Sequence, residues 1–389
     1  MKREHVAARV EHRPARVRPD VAPRRSPPRP RTVGLLLGLV AVLDVIGLVM
    51  VLSASSVHAL RAYGSAWLFF ERQLLWVGLG TVVLLATMRV DYRVWRRLVV
   101  PLLAVTVTLL VLVLVPGLGI SVGGSARWLG VGFIRIQPSE LAKLAVVVFA
   151  ADVLTRRADQ IRSTRSTVVP VLLVFTVIAL LVVVQPDLGT TLVLACIVLA
   201  VLFIGGVPLP TMTVVVALAG AATFLAGMTK DYRRGRLLCF LHPASDPGNA
   251  CYQLQQSLVG LGSGHVTGVG LGASRAKWGF LPNAHTDFIF DIIGEEVGLI
   301  GSLLVAGLFV AFAVLGVRAA SRAPDRFGML LAGGIVAWVV GQAFINIGAA
   351  IGTLPITGVP LPFVSFGGSS LVIAMAATGV LVNIARQSR

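Results

Sequence analysis

Long apolar stretches recur along this chain from Thr32 to its C-terminus. Most of them are close to the ~20 residues that an α-helix needs to cross the hydrocarbon core of a bilayer. Charged residues make up only 13 % of the chain, against the ~25 % that is usual in a soluble domain, which excludes an ordinary cytosolic enzyme. The pattern predicts an all-α integral membrane protein with ten transmembrane helices, over residues 32–54, 72–89, 98–116, 138–155, 167–184, 189–206, 210–228, 292–317, 328–348 and 368–386.

The first 31 residues have a different composition, with ten Lys or Arg residues, three acidic residues and several prolines. Such a segment cannot bury a core, so residues 1–31 are predicted to form a disordered basic cytoplasmic tail, followed by a transmembrane domain over 32–389. The tail is expected to bind anionic lipid headgroups, and no nucleic acid partner is expected. The following apolar run exceeds the ~7–15 residues of a cleaved signal sequence and should remain as the first span.

Basic residues set the expected orientation, because the cytoplasmic loops of membrane proteins are enriched in Lys and Arg. With the tail inside, 23 of the 34 basic residues fall on the cytoplasmic side, and both termini lie in the cytoplasm. The segment of about residues 229–291, between helices 7 and 8, then forms one large extracytoplasmic loop.

Nine of the remaining basic residues cluster on the outer side, where cations are costly unless they have a partner or a function. Salt bridges to Asp231, Glu140 or Asp287 could account for any single one of them. Nine together favour an anionic ligand that approaches from outside, and a phosphorylated lipid fits that description. They are Arg127, Arg135, Lys143, Lys230, Arg233, Arg234, Arg236, Arg275 and Lys277.

Familiar catalytic and metal-binding signatures are missing from the sequence. It has no GxxxxGK[ST] phosphate loop, no HExxH and no paired CxxC, and the glycines of GVGLGAS (268–274) lack the strand and helix of a dinucleotide site. Cys239 and Cys251 share the outer loop and could form a disulfide or remain free. Cys196 lies in a predicted span and is expected to pack there.

The segment GSARWLGVGFIRIQPSELAK (124–143) leads into the fourth predicted span. It places Pro138 at the first position of that helix and Glu140 in the first turn, where a carboxylate is favourable even without a catalytic role. Lys143 follows on the same face, so a buried Glu140–Lys143 pair is predicted. That pair would leave Arg127 and Arg135 for a ligand.

Three further polar segments lie on the predicted outer side. In QPDLGTT (185–191), Asp187 is expected to cap the following helix rather than to catalyse. SRAKWGFLPNAHTDFIFDIIGEE (274–296) runs into a span that begins near Asp287. PITGVPLPFVSFGGSS (355–370) is irregular, so it can line a cavity but cannot face lipid.

These segments resemble the SEDS family (shape, elongation, division, sporulation) of FtsW and RodA proteins. SARW with RIQPSELAK, QPDLGTT, PNAHTDFIF with GEE, QAFINIG (342–348) and PFVSFGGSS occur in the family's order, and the resemblance covers the chain from about residue 32. SRAKWGFLP ahead of HTDFIF looks more like the FtsW branch, while PITGVPLPF is also seen in RodA-like members. Asn283 and Phe366 depart from the family's usual Glu and Tyr, which argues against a required carboxylate or phenol at these positions.

The resemblance implies a peptidoglycan glycosyltransferase that polymerises lipid II on the outer face of the cytoplasmic membrane during septal wall synthesis. The expected partners are lipid II, a class B penicillin-binding protein that crosslinks the strands, and other divisome membrane proteins. The expected location is the cytoplasmic membrane at the division septum. No certain cofactor is implied, although a divalent cation (Mg²⁺ or Mn²⁺) could assist at the pyrophosphate.

The resemblance also assigns roles to particular residues. Asp287 matches the family's proposed catalytic Asp and would act as the base for a sugar hydroxyl, although a helix-capping role is the alternative. Trp128 could stack on a sugar or anchor the chain at the membrane interface. The full set of expected substrate-binding residues is Arg127, Trp128, Arg135, Gln137, Glu140, Lys143, Ser274, Lys277, His285, Thr286 and Ser369.

Other functions are compatible with the same residues. A RodA-type elongation polymerase would use the same chemistry for growth of the cell cylinder. A lipid II flippase would use the cationic cavity without chemistry at Asp287, and a scaffold would only hold partners in the membrane. Glycan polymer made by the purified protein from lipid II would identify the enzyme.

Overall fold

The computed structural model of the chain describes residues 30–122, 125–132, 134–161, 163–229, 231–242 and 251–388. The predicted basic tail lies outside this part of the chain, except for its last two residues. Within it, the α-helices are α1 Pro30–Tyr63, α2 Leu68–Thr87, α3 Val94–Arg97, α4 Val99–Leu114, α5 Pro138–Arg156, α6 Thr164–Val184, α7 Leu188–Ile204, α8 Leu209–Met228, α9 Asp231–Leu241, α10 Tyr252–Ser263, α11 Ile289–Ser321, α12 Arg326–Ala350 and α13 Gly368–Gln387. The strands are β1 Ile120–Val122, β2 Ser125–Val131 and β3 Ile134–Ile136.

Each of the ten predicted apolar segments falls on one of these helices. Seven of the helices in the described part of the chain are long and apolar enough to cross a membrane: α1, α2, α6, α8, α11, α12 and α13. Helices α4 and α7 are apolar but shorter, and α5 contains several charged residues. The chain is therefore a mostly helical, multi-pass membrane protein.

The all-α prediction needs a correction between α4 and α5, where the structure contains a small antiparallel sheet. Strand β2 pairs with β1 on one side and with β3 on the other, with Leu129 opposite Ile136 and Gly130 opposite Arg135. Hydropathy identifies spans of about twenty residues, so three strands of three to seven residues leave no signal in it. The sheet fixes the segment that carries Arg127, Trp128 and Arg135.

The centre of the bundle is formed by the C-terminal helices. In α13, 89 % of the most apolar 18-residue stretch is buried, against 11 % in α8 at the periphery. The buried side of α12 packs against α5, α7 and α11. The candidate site lies at the ends of these packed helices and on the segments next to them, at the starts of α7 and α11 and at β2.

Helix α11 is broken at Gly298, which has a positive φ of 73°. A Cβ at this position would lie 2.4 Å from Gly268 N, because the segment after α10 is inserted against the helix. Leu299 N donates to His265 O at 3.0 Å, so this segment takes over backbone bonds at the break. The break separates the first two turns of α11, which contain buried carboxylates, from the apolar remainder.

Helices α9 and α10 lie within the predicted outer loop and are joined by a disulfide between Cys239 and Cys251. Both cysteines are buried. The sequence is compatible with a disulfide or with two free thiols at Cys239 and Cys251, and the structure contains the disulfide. Cys196 is free and lies half-buried in α7, as expected for a packing residue.

Candidate active site

Asp287 lies in the segment immediately before α11 and is half-buried. Phe288 is the N-cap residue of α11, so Asp287 precedes the cap position and the capping alternative loses its geometric basis. Asn346 of α12 fixes this segment, since its Nδ2 donates to Asp287 O and to Val359 O, both at 2.7 Å. One amide therefore holds the Asp287 segment and the 355–370 segment side by side.

The 355–370 segment approaches the Asp287 carboxylate at Gly358. A Cβ on Gly358 would lie 3.5 Å from Asp287 Oδ2 and 3.9 Å from Arg236 Nη1, so the carboxylate and the guanidinium are both close to the same point. Gly358 has a positive φ of 71°, which a glycine adopts without strain. The backbone there can come close to both charged groups because no side chain intervenes.

In the part of the chain that the structure describes, three charged groups act on Asp287: Arg236 of α9, Arg127 of β2 and Asp187 at the start of α7. Loss of hydration raises the pKa of Asp287 to about 6. Arg236 and Arg127 oppose this rise and Asp187 adds to it. The result is a carboxylate that is mostly ionised at neutral pH but basic enough to take a proton from a substrate.

Arg127 is oriented by the turn between α6 and α7. Its Nε donates to Gln185 O at 3.1 Å, it makes a second bond to Pro186 O, and Nη1 lies 4.0 Å from Asp187 Oδ1. The side chain is only partly buried, so part of its guanidinium is left accessible.

Asp187 caps α7, as predicted, because its Oδ1 accepts from Thr190 N at 3.0 Å. Gln137 Nε2 donates to Asp187 Oδ2 at 3.0 Å, and the backbone N of Gln137 donates to Ser369 Oγ at 3.1 Å. The structure thus brings Ser369 next to Gln137, Gln137 next to Asp187, and Asp187 next to Arg127.

The predicted Glu140–Lys143 pair is confirmed, with Lys143 Nζ at 2.6 Å from Glu140 Oε2 and both side chains at most 2 % exposed. Lys143 Nζ also donates to Gln342 Oε1 at 2.8 Å and lies 5.1 Å from the ring centroid of Trp338. The ammonium group is therefore surrounded by protein partners. Its role as a substrate ligand stays a prediction.

Ser274 and Lys277 lie in another cluster, around the first turns of α11. Lys277 Nζ is 3.1 Å from Glu296 Oε1 and donates to Ser53 Oγ of α1 at 3.2 Å. Ser274 Oγ donates to Glu295, whose Oε1 also accepts from Arg275 N at 2.8 Å. These bonds attach the 272–278 segment to α1 and α11, whereas the charges that act on Asp287 come from α9, β2 and α7.

His285 and Thr286 lie directly beside Asp287. The His285 ring stacks on His58 at 5.9 Å and packs against Phe69 at 4.9 Å between ring centroids. Burial, together with His58, lowers the pKa of His285 to about 4, so the ring is neutral at pH 7. Thr286 O accepts a hydrogen bond from Ser365 Oγ. His285 can therefore contact a neutral part of a substrate but adds no positive charge.

Trp128 and Arg135 are both on the small sheet. Trp128 lies opposite Ile120 and is half-buried, while Arg135 is exposed on β3. The two alternatives for Trp128, a sugar contact or a membrane anchor, remain open. Arg135 is available to an anion at the surface.

Sequence reasoning did not assign Arg236, Gln342, Asn346 or Gly358 to the site. A signal existed for Gln342 and Asn346, which lie one turn apart in an otherwise apolar helix, where polar groups usually have a function. Arg236 was visible as an outer-side cation. Its position near Asp287 depends on how α9 packs, which the local sequence does not specify.

The residues around Asp287 do not form a resident metal site. Among the described residues, no group of three or more His, Cys, Asp or Glu side chains is placed to hold a metal ion. Both oxygens of Asp187 already accept hydrogen bonds, which leaves one carboxylate facing two guanidinium groups. We therefore derive no step through a divalent cation.

Comparison with known proteins identifies the family. The profile of the FtsW/RodA/SpoVE cell cycle proteins matches residues 34–389. The probable peptidoglycan glycosyltransferase FtsW of Geobacter metallireducens is 38 % identical, covering 91 % of this chain and 95 % of that protein. Stage V sporulation protein E of Bacillus subtilis is 41 % identical, covering 91 % and 97 %.

Solved structures agree with this result. A chain from a peptidoglycan synthase complex that coordinates polymerization and crosslinking has a TM-score of 0.73 and 28 % identity, over 90 % of this chain and 96 % of that one. The rod shape determining protein RodA of Thermus thermophilus has a TM-score of 0.67 and 27 % identity, over 91 % and 96 %. Because the family profile matches nearly the whole length of the chain, the chain belongs to the FtsW/RodA/SpoVE family of cell cycle proteins.

Proposed function

We propose that this chain is a peptidoglycan glycosyltransferase that polymerises lipid II into glycan strands on the outer face of the cytoplasmic membrane. The relatives named as FtsW glycosyltransferases, aligned over almost their full length, support this activity. The observation that carries the proposal is the Asp287 carboxylate, which has Arg236 and Arg127 near it and a pKa raised to about 6.

In the reaction, Asp287 accepts the proton of a sugar hydroxyl on the acceptor. The hydroxyl oxygen forms a bond to the anomeric carbon of the donor, and the bond from that carbon to the pyrophosphate breaks. Undecaprenyl pyrophosphate leaves with the electron pair, and the proton passes from Asp287 to solvent. Guanidinium groups near the carboxylate favour the negative charge that develops on the leaving group. Arg127 and the exposed Arg135 are the cations best placed for this role.

The experiment that tests this activity uses purified protein and lipid II in liposomes. Glycan polymer is the expected product. Movement of lipid II between leaflets without polymer would instead identify a flippase, and the absence of both would leave a scaffold. The same assay with a class B penicillin-binding protein tests the partner, which the likeness to a complex that couples polymerization and crosslinking supports.

The cellular role proposed is septal wall synthesis, together with other divisome membrane proteins. Relatives named FtsW at 38–40 % identity support division rather than elongation. Depletion of the protein in its own cells should therefore block septum formation, whereas rounding of cells that still divide would indicate the RodA-type role.

The proposed topology has ten spans, both termini in the cytoplasm and helices α9 and α10 outside. A reporter inserted near Ser263, at the end of α10, should read external, because it belongs to the outer loop. A reporter fused after Arg389, which lies outside the described residues, should read cytoplasmic. A cytoplasmic signal at 263 would overturn the assignment of the site to the outer face.

The pH dependence of polymerisation should follow the protonation of Asp287. A base is active only when it is ionised, so the rate should fall about tenfold per pH unit below pH ~6 and level off above it. Initial rates between pH 5 and pH 8 measure this, with circular dichroism to show that the fold persists. A rate that stays constant down to pH 5 would exclude a base with this pKa.

A further inference from the structure

Arg236, on α9, is the charged group that lowers the pKa of Asp287 most. Its Nη1 and the Asp287 Oδ2 lie within 3.9 Å and 3.5 Å of the same point, the position that a Cβ on Gly358 would take. Nη1 donates to Ile356 O at 3.4 Å, in the same 355–370 segment that approaches the carboxylate. The guanidinium is thereby directed towards the site by the segment that lines it.

Two adjacent links attach α9 to α10 near Arg236. Its Nη2 donates to Gln253 Oε1 in the first turn of α10 at 3.1 Å. The second link is the disulfide from Cys239, three residues after Arg236 on the same helix, to Cys251 at the start of α10. With a Cα–Cα distance of 5.2 Å, the disulfide fixes the two helix ends next to the Arg236–Gln253 bond.

Helix α10 is in turn attached to the elements that hold Asp287. Ser257 of α10 bonds to Asp291 of α11 and, at 2.7 Å, to Ala350 O at the end of α12. Helix α12 also provides Asn346, which holds the Asp287 backbone. The connection therefore runs from Asp287 through α12 and α10 to the disulfide, and through α9 back to Arg236.

We infer that Arg236 is a positioning residue for the reaction at Asp287, and that the Cys239–Cys251 disulfide holds it there. The inference rests on the proposed glycosyltransferase function. Arg236 keeps the carboxylate ionised and directed at the acceptor hydroxyl. Because the disulfide links α9 covalently to the anchored α10, activity depends on an oxidised outer domain.

This role makes a prediction that a merely structural side chain would not satisfy. Among the described residues, the charged groups that act on Asp287 are Arg236 on α9, Arg127 on β2 and Asp187 at the start of α7. Burial raises the pKa of Asp287 and the positive charge of Arg236 lowers it. Removal of that charge therefore raises the pKa, and the carboxyl becomes harder to ionise. The acid limb of the pH–rate profile should then move to higher pH.

The experiment compares pH–rate profiles for lipid II polymerisation by the wild type, Arg236→Gln and Arg236→Lys. For a shift of about one unit, Arg236→Gln should be about fivefold slower than wild type at pH 6, about twofold slower at pH 7 and similar at pH 8. Arg236→Lys should keep the wild-type midpoint because it keeps the charge. Arg234→Gln is the matched control, since it removes an exposed charge from the same helix and should not move the midpoint.

The disulfide is tested in the same assay in two ways. One is reduction with the membrane-impermeant reductant tris(carboxyethyl)phosphine, and the other is the Cys239→Ala/Cys251→Ala protein. Both should move the acid limb in the direction of Arg236→Gln, and the reductant should have no effect on the double variant. An Arg236→Gln profile with the wild-type midpoint would overturn the inference. A reduced, folded protein with the wild-type profile would overturn the role of the disulfide.

An infrared titration separates failure of this inference from failure of the proposed function, because it requires no turnover. The carboxylic acid C=O band that is lost in Asp287→Asn reports the protonation of Asp287 directly. It should titrate at higher pH in Arg236→Gln than in the wild type. If the wild type has no polymerase activity but the band of Arg236→Gln still titrates at higher pH than that of the wild type, only the proposed function is overturned. If the bands of the two proteins titrate at the same pH, the inference is overturned.

Discussion

Asp287→Asn is expected to fold and insert normally while losing lipid II polymerisation by roughly 10²-fold or more, the usual contribution of a general base. Asn has nearly the volume of Asp but cannot accept the proton of a sugar hydroxyl. The fold should tolerate the change, because the contact that fixes this segment is made by Asp287 O, which the substitution keeps. Initial rates with purified protein and a thermal unfolding curve measure the two properties separately.

Asp291→Asn is the matched control for this substitution, because the same change is made four residues further on. Asp291 is fully buried and bonded to Ser257, so it does not reach a substrate, and an amide can bond to the same hydroxyl. This variant should retain most of the activity. Near-wild-type polymerisation by a well-folded Asp287→Asn protein would mean that the base lies elsewhere in the chain.

Lys143→Met is expected to destabilise the protein by about 3–5 kcal/mol, because it leaves Glu140 buried without a counter-charge. The pair is at most 2 % exposed and 2.6 Å apart, so water cannot replace the lost ammonium group. Thermal unfolding in detergent, followed by tryptophan fluorescence, measures the loss. Glu140→Gln combined with Lys143→Met should recover most of the stability, since replacing both members of a buried pair is often neutral.

The double variant also decides the function of Lys143. We expect polymerisation to return together with stability, because the Lys143 ammonium is already bonded to Glu140 and Gln342. Stability without activity would instead show that Lys143 contacts the substrate.

As a control, Arg135→Ala should weaken lipid II binding without loss of stability, since Arg135 is exposed on β3. Arg135→Lys should restore binding only in part, because Lys lacks the planar fork of Arg.

Local sequence was sufficient for features that depend on a few neighbouring residues. The ten apolar segments coincide with helices because hydrophobicity over about twenty residues is a property of the segment itself. Asp187 caps α7 and Lys143 pairs with Glu140 because both contacts span only three residues of a helix. The order of the family motifs also gave the family, which the profile match confirms.

The tertiary structure alone decided which charged groups meet. Arg236 and Asp287 are 51 positions apart, and Lys277 reaches Ser53 across 224 positions. Lipid-facing helices pack without a hydrophobic pattern that marks the partner, so no local signal separates a cation at the active site from one that holds a loop in place. Lys277 and Arg236 look alike in the sequence. Only the packing of α1, α9 and α11 gives Lys277 a buried carboxylate partner and places Arg236 near the Asp287 carboxylate.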